Sequence, residues 1–192
     1  MYMKAVSFLL LGILGISIND TIIKFLSDAY ALHQLVFVRA TIGLAIILPA
    51  LLFQQGLAVL RTKRPLIHVI RGLLIVLANL TFFAGLASLP LAEASAVVFI
   101  SPLLNTIFSY YFLHEEITGW RWLAVLVGLV GMFCVVQPFG ASLKLAYLWP
   151  LAGACCYSGF AITTRFLGRT DGTGSLAVYS TGAFLVASVA MG

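Results

Sequence analysis

Charge is what this sequence has least of. Of 192 residues, 9% are charged and 62% are hydrophobic. A soluble domain carries about 25% charged residues, so this chain lacks the polar groups needed to cover a water-facing surface. With a mean hydropathy of +1.10, it is expected to be an all-α polytopic membrane protein. Other absences narrow the function. Paired aspartates, HxxxH and GxSxG are missing, so intramembrane catalysis is not expected and no catalytic residue is assigned. No GxxxxGK[ST] occurs, which argues against ATP hydrolysis within the chain. The three cysteines, Cys134, Cys155 and Cys156, lie in apolar runs without a CxxC spacing and read as small buried residues. His33, His68 and His114 fall in separate regions without metal-ligand spacing, so neither a metal nor a cofactor is expected. The net charge of +5 is not gathered into a basic run with interleaved aromatics, which excludes nucleic acid as a partner.

What is present is a series of continuous apolar runs. Crossing the hydrocarbon core takes roughly 20 apolar residues in a helix. Seven runs qualify or nearly so, at 5–25, 32–53, 66–86, 91–113, 120–136, 148–166 and 176–191. They are continuous, not alternating, which rules out a membrane barrel. The first has one preceding Lys and no small-x-small cleavage site, so it reads as an uncleaved span.

The basic residues give an orientation. With the N-terminus in the cytoplasm, that side receives Lys4, Arg61, Lys63, Arg64, Arg71, Arg121, Arg165 and Arg169, and the outer side only Lys24 and Lys144. This asymmetry places the N-terminus inside, in a cell inner (plasma) membrane. The basic stretch 61–71 is expected to fix topology and to meet anionic membrane lipid.

The chain also begins to repeat itself. Gly12 can be set against Gly153, and the same offset pairs Ser17 with Ser158, Lys24 with Arg165, Phe25 with Phe166, Leu26 with Leu167, Leu35 with Leu176 and Leu44 with Leu185. The offset covers five helices. An odd-numbered repeat inverts its topology, the common plan of secondary transporters. The expected organisation is a first five-helix unit at 1–138 and the truncated start of an inverted second unit at 146–192. On this plan the chain is a fragment or a truncated product; the alternative is a natural seven-helix protein.

The stretch "LASLPLAEASAVVFISPLLNTIFSYYFLHEEITGWRWLAVLVGLVGMFCVVQP" resembles the fourth and fifth helices of EamA-type members of the drug/metabolite transporter superfamily. Its marks are Pro102 within the fourth helix, Glu115 in "LHEEIT" at its inner end and Gly131 in the fifth. It departs from the pattern at Glu116, where the family often has a basic residue, and at Ala124, which replaces a second glycine. The resemblance implies ten helices in two inverted repeats, both termini in the cytoplasm, and a substrate cavity lined by the first four helices of each repeat. "NDTIIKFL", "FVRA" and "KRPLIHVIRGLLI" look most like the S-adenosylmethionine uptake branch.

Polar residues within the spans are the sharpest local signal, because lipid exposure of such groups costs several kcal/mol. At 1.5 Å rise per residue, Asp20 and Arg39 lie about 8 and about 10 Å below the same surface. Asp20 is expected to pair either with Arg39 on the next helix or with Lys24, its i+4 neighbour. In the repeat alignment Asp20 falls opposite Ala161, which favours a specific gate or substrate role. Ser101, Asn105 and Ser109 recur at i+4 on one face. Pro102 frees a carbonyl one turn earlier, near Val98, and freed backbone at membrane depth is tolerated where it faces protein or a cavity. That face lines a cavity or, alternatively, allows close helix packing. Asn79 is either a lining residue or an interhelical hydrogen bond; Tyr157 and Tyr179 supply aromatic surface or act as packing anchors. Glu93 is expected to be solvated at the outer rim, and Glu115 and Glu116 to pair with Arg121.

The expected substrate-pathway or gate set is therefore Asn19, Asp20, Lys24, Arg39, Asn79, Ser101, Pro102, Asn105 and Tyr157. The expected function is secondary transport, by alternating access, of a small metabolite such as S-adenosylmethionine, an amino acid or a related compound. The alternative is a small non-transporting membrane protein that assembles as an oligomer or scaffold. Expected partners are membrane lipid, a small-molecule substrate and, as an option, a second copy in a homodimer.

Overall fold

The computed structural model describes residues 2–26, 29–136 and 145–192. Every regular element among them is helical: α1 Tyr2–Leu26, α2 Leu32–Gln55, α3 Pro65–Leu86, α4 Leu91–Val98, α5 Ser101–Leu113, α6 Gly119–Val136, α7 Leu148–Leu167 and α8 Thr173–Met191. Short 3₁₀ turns at Gly56–Leu60 and Leu145–Tyr147 lead into α3 and α7. Six segments are long and apolar enough to cross a membrane: Val6–Leu26, His33–Gln55, Pro65–Leu86, Leu91–Leu113, Leu145–Leu167 and Thr173–Met191. The expected span at 120–136 forms α6, whose apolar core, Trp122–Cys134, is shorter. The protein is a multi-pass all-α membrane protein. The expected division near 138–146 falls largely on 137–144, outside the described residues, as does Lys144.

Large apolar side chains face outward along much of the bundle. Phe8, Phe53, Phe112 and Trp120 are exposed, the arrangement that lipid requires and water forbids. With lipid outside, burying apolar surface gives little drive for helices to associate, so the centre depends on close packing and internal polar contacts. The most extensive pairing is α3 with α7, followed by α2 with α8. Two glycines permit the first. A Cβ on Gly85 would lie 2.8 Å from Pro150 Cδ, and one on Gly153 would lie 3.0 Å from Thr81 Oγ1 and 3.2 Å from the Ala78 carbonyl oxygen.

The expected single span 91–113 is broken. α4 ends at Val98 and α5 begins at Ser101, with Phe99 and Ile100 in a turn between them. Pro102 is the cause. It has no N–H to give to the carbonyl four residues back, that of Val98, and its ring crowds that carbonyl. The chain closes the gap with tighter bonds, Phe99 N–H to the Ala96 carbonyl and Ile100 N–H to the Val97 carbonyl, both 3.1 Å. At its far end α5 stops on His114, whose φ of 53° is left-handed.

Candidate functional site

The break in the fourth span borders an open cavity of about 570 Å³ lined by α1, α2, α3, α7, α8 and the end of α4. α1 contributes Asn19 and Asp20, α2 contributes Arg39, and α3 contributes Asn79 and Phe82. Tyr157 of α7 and Phe184 of α8 complete its polar and aromatic wall. A second hollow, about 320 Å³, shares Asp20, Phe82, Val98 and Tyr157 with the first and adds Ser101, Pro102 and Asn105. Eight of the nine expected pathway residues therefore line these two spaces. Lys24 lines neither; its ammonium donates to the Leu86 carbonyl at the end of α3.

Neither expected partner of Asp20 forms an ion pair with it. Among the described residues the charged groups in contact are Arg165–Glu115 and, with the imidazole as hydrogen-bond partner of the carboxylate, His68–Asp171. Asp20 instead accepts from Asn19 Nδ2 at 3.1 Å. Arg39 Nη2 donates to Asn79 Oδ1 at 3.3 Å, and the guanidinium sits 5.0 Å from the Phe184 ring centroid. Asn79 passes its own Nδ2–H to the Ile75 carbonyl at 3.1 Å, so it is both a lining residue and an interhelical link. The physical reason is reach. Asn79 and Phe184 present an acceptor and a π-face directly to the guanidinium, which binds such groups as well as carboxylates. Asp20 stays on the cavity wall with Arg39 and attracts it through space without a direct ion pair.

The serine face divides. Ser101 Oγ and Asn105 Oδ1 are buried without a hydrogen-bond partner, on the wall of the smaller hollow. Ser109 lies beyond it, fully buried, and receives Arg165 Nη1 at 2.9 Å. The same Arg165 nitrogen donates to Glu115 at 3.1 Å. Glu115 thus pairs with α7; the side chain of Arg121, its expected partner, lies outside the described residues. Glu93 accepts from the Tyr147 hydroxyl at 2.8 Å, so it is tied to the turn that leads into α7 and not simply solvated.

The largest departure from expectation is at the basic end of the bundle, where segments 56–64 and 168–172 meet. Arg71, expected as a topology charge in a loop, is 4% exposed inside α3. Its Nε donates to Thr164 Oγ1 at 2.8 Å, and its Nη1 to the Leu176 carbonyl at 2.9 Å and Ser180 Oγ at 2.6 Å. Its guanidinium also lies 4.4 Å from the Phe160 ring centroid. One turn earlier, His68 Nε2 meets Asp171 Oδ2 at 2.8 Å, and Thr62 Oγ1 donates to the same oxygen at 2.5 Å. These hydrogen bonds, Thr62's first and His68's second, hold the Asp171 carboxyl below the usual carboxylate range despite its burial. The His68 ring lies 4.4 Å from that of Tyr179, whose hydroxyl donates to the Leu60 carbonyl at 2.9 Å. Tyr179 is therefore a clasp at this end and not cavity surface. The available signal was Pro65. Proline favours the first helical turn, so a helix starting there carries His68 and Arg71 into its body at i and i+3.

Comparison with known proteins gives the same class. Residues 3–137 match the model of the "EamA-like transporter family". A protein of Rickettsia felis named "S-adenosylmethionine uptake transporter" is 27% identical over 164 residues, covering 85% of this chain and 55% of that protein. A "Riboflavin transporter" of Brucella anthropi is 27% identical over 143 residues, 74% of this chain and 50% of its own. A "Pseudopaline exporter" of Pseudomonas aeruginosa is 29% identical over 164 residues, 85% and 57%. The chain spans about half the length of the curated relatives it matches.

Proposed function

The chain belongs to the EamA-like transporter family, and on that premise we propose that it forms the binding cavity of a secondary transporter for a small metabolite. S-adenosylmethionine, an amino acid or a related compound is the favoured cargo, since its opposite charges complement Asp20 and Arg39 and its apolar parts suit the otherwise mostly apolar wall. The observation that carries this reading is the convergence of Asp20, Arg39, Asn79 and Tyr157, from four different helices, on one cavity of about 570 Å³. Ionisable residues at membrane depth mark substrate or ion paths, and a space of this size suits a metabolite.

Transport proceeds by alternating access. In the conformation described, α3 and α8 are clasped at the basic end through Arg71, His68, Asp171 and Tyr179. With the N-terminus in the cytoplasm of a cell inner membrane, that end faces inward and the clasp is the closed inner gate. Exchange or an ion gradient supplies the drive. The second unit inverts the first, so that rocking of one against the other opens either side.

Uptake of radiolabelled S-adenosylmethionine into proteoliposomes tests the proposal. Saturable accumulation that falls at least tenfold in Arg39→Ala supports it. Equal fluxes in protein-containing and protein-free vesicles, for S-adenosylmethionine and for a panel of amino acids and riboflavin, refute it.

A further inference from the structure

The smaller hollow has a chemistry of its own. It is lined by one carboxylate residue, Asp20, and by Ser101 and Asn105, whose side-chain oxygens are buried just behind its surface without partners. Val98 lies on the same wall, and its carbonyl is the one that Pro102 cannot serve. A buried acceptor left unmatched costs about 1–3 kcal/mol, and two residues that carry such oxygens border this one space. Phe82 and Tyr157 line the same space and bring aromatic surface to it. The two helix ends at the break bring opposite partial charges, negative from the end of α4 and positive from the start of α5. The Asp20 carboxylate therefore sets the sign of the hollow.

Carboxylate, unpartnered oxygens and aromatic faces are together the recognition set for an organic cation. Size argues against a bare metal ion. Such an ion needs oxygens drawn to about 2.3–2.6 Å, whereas the hollow has about 320 Å³, on the order of ten waters at roughly 30 Å³ each. Arg39 lines the larger cavity and not the smaller hollow. A positive group is repelled from Arg39 and drawn toward Asp20, while an anionic group is drawn the other way. We propose that the hollow bounded by Asp20, Ser101, Asn105 and Tyr157 is a subsite for the cationic group of an amphoteric ligand, whose anionic end lies toward Arg39. Its biological role rests on the carrier reading above; its chemistry does not depend on transport.

Matched pairs of compounds test it on the whole chain in nanodiscs, by titration calorimetry. One pair is S-adenosylmethionine and its net-neutral thioether, S-adenosylhomocysteine, which lacks the sulfonium charge but keeps the α-ammonium, so this pair reads a preference for the sulfonium alone. The other is choline and its uncharged isostere 3,3-dimethylbutan-1-ol. In the wild type the charged member of at least one pair binds tenfold or more tightly than its neutral partner. Asp20→Asn removes that ratio and leaves the neutral member within about threefold. Asn105→Leu, which keeps the charge, weakens the cationic member and serves if Asp20→Asn does not fold. Equal binding within both pairs in the wild type overturns the proposal, as does a ratio that survives Asp20→Asn. Sodium binding that is lost in Asp20→Asn, with no preference within either pair, assigns these oxygens to a metal ion and also overturns it. Proteoliposome uptake keeps the two readings apart. A protein that shows the charge preference but moves no solute defeats only the carrier reading; one that moves solute without the preference defeats only the subsite.

Discussion

Arg39 Nη2 donates to Asn79 Oδ1 at 3.3 Å, while Asp20 lines the same cavity without forming an ion pair with it. A direct salt bridge would neutralise both charges. The amide link instead holds the guanidinium in place, while the carboxylate accepts from Asn19 and acts on Arg39 only through space. Arg39→Ala is expected to lower uptake at least tenfold, and Arg39→Lys to recover only part, because lysine lacks the planar fork. In double-mutant cycles on thermal stability, Arg39 and Asn79 should couple by about 0.5–3 kcal/mol, the range for residues in contact. Coupling of Arg39 to Asp20 that exceeds its coupling to Asn79 would contradict the geometry.

The clasp at the basic end carries a pH signature. Asp171 has a depressed folded-state pKa, so its contribution is complete above the unfolded value of about 3.9. It is lost as pH falls through the lower folded value. Thermal stability of the wild type should therefore drop below about pH 4, and Asp171→Asn should be less stable than wild type at neutral pH with a flatter acid limb. Melting curves between neutral and acid pH check this; an acid limb unchanged by Asp171→Asn would refute it.

Arg165 and Glu115 are a contrasting case. Their side chains are 44% and 34% exposed, so solvent screens the pair and it is worth no more than about 1 kcal/mol. Glu115→Gln should leave the melting temperature nearly unchanged. Ser109, which binds the same guanidinium from a fully buried position, should be the more sensitive site when replaced by valine.

Gly85 is expected to tolerate no side chain. Its added Cβ would meet the Pro150 ring at 2.8 Å, and a proline ring cannot swing aside. Overpacking of this kind costs about 1–3 kcal/mol. Gly85→Ala should lower the melting temperature in detergent, while the same change at Gly128, with nothing within 4 Å, should not.

Accessibility separates the serine face. In a background without Cys134, Cys155 and Cys156, Asn105→Cys should react with a small water-soluble thiol reagent and be protected by ligand. Ser109→Cys should stay unreactive. Equal reactivity at both positions would mean that the smaller hollow does not end where the structure places it.

The sequence alone determined the class and most of the residues that line the two hollows. Continuous apolar runs admit only helices at membrane depth, because backbone groups there must bond within their own segment. Scarce polar residues inside those runs carry a free-energy cost that only a cavity or a partner offsets. Asn19, Asp20, Arg39, Asn79, Ser101, Asn105 and Tyr157 were legible for that reason, and Pro102 marked the break by its missing N–H. Pairing was not legible. Depth along a helix is fixed by rise per residue, but rotation about its axis and the neighbour it meets are set by packing. Arg39 therefore reached Asn79 and Phe184 in place of Asp20, and Glu115 reached Arg165. Arg71 and Asp171 are the sharpest instance. In sequence they are a loop charge and an unremarked acid, 100 residues apart. Only the close approach of α3 to α7 and α8, made possible by small residues, turned them into a buried clasp.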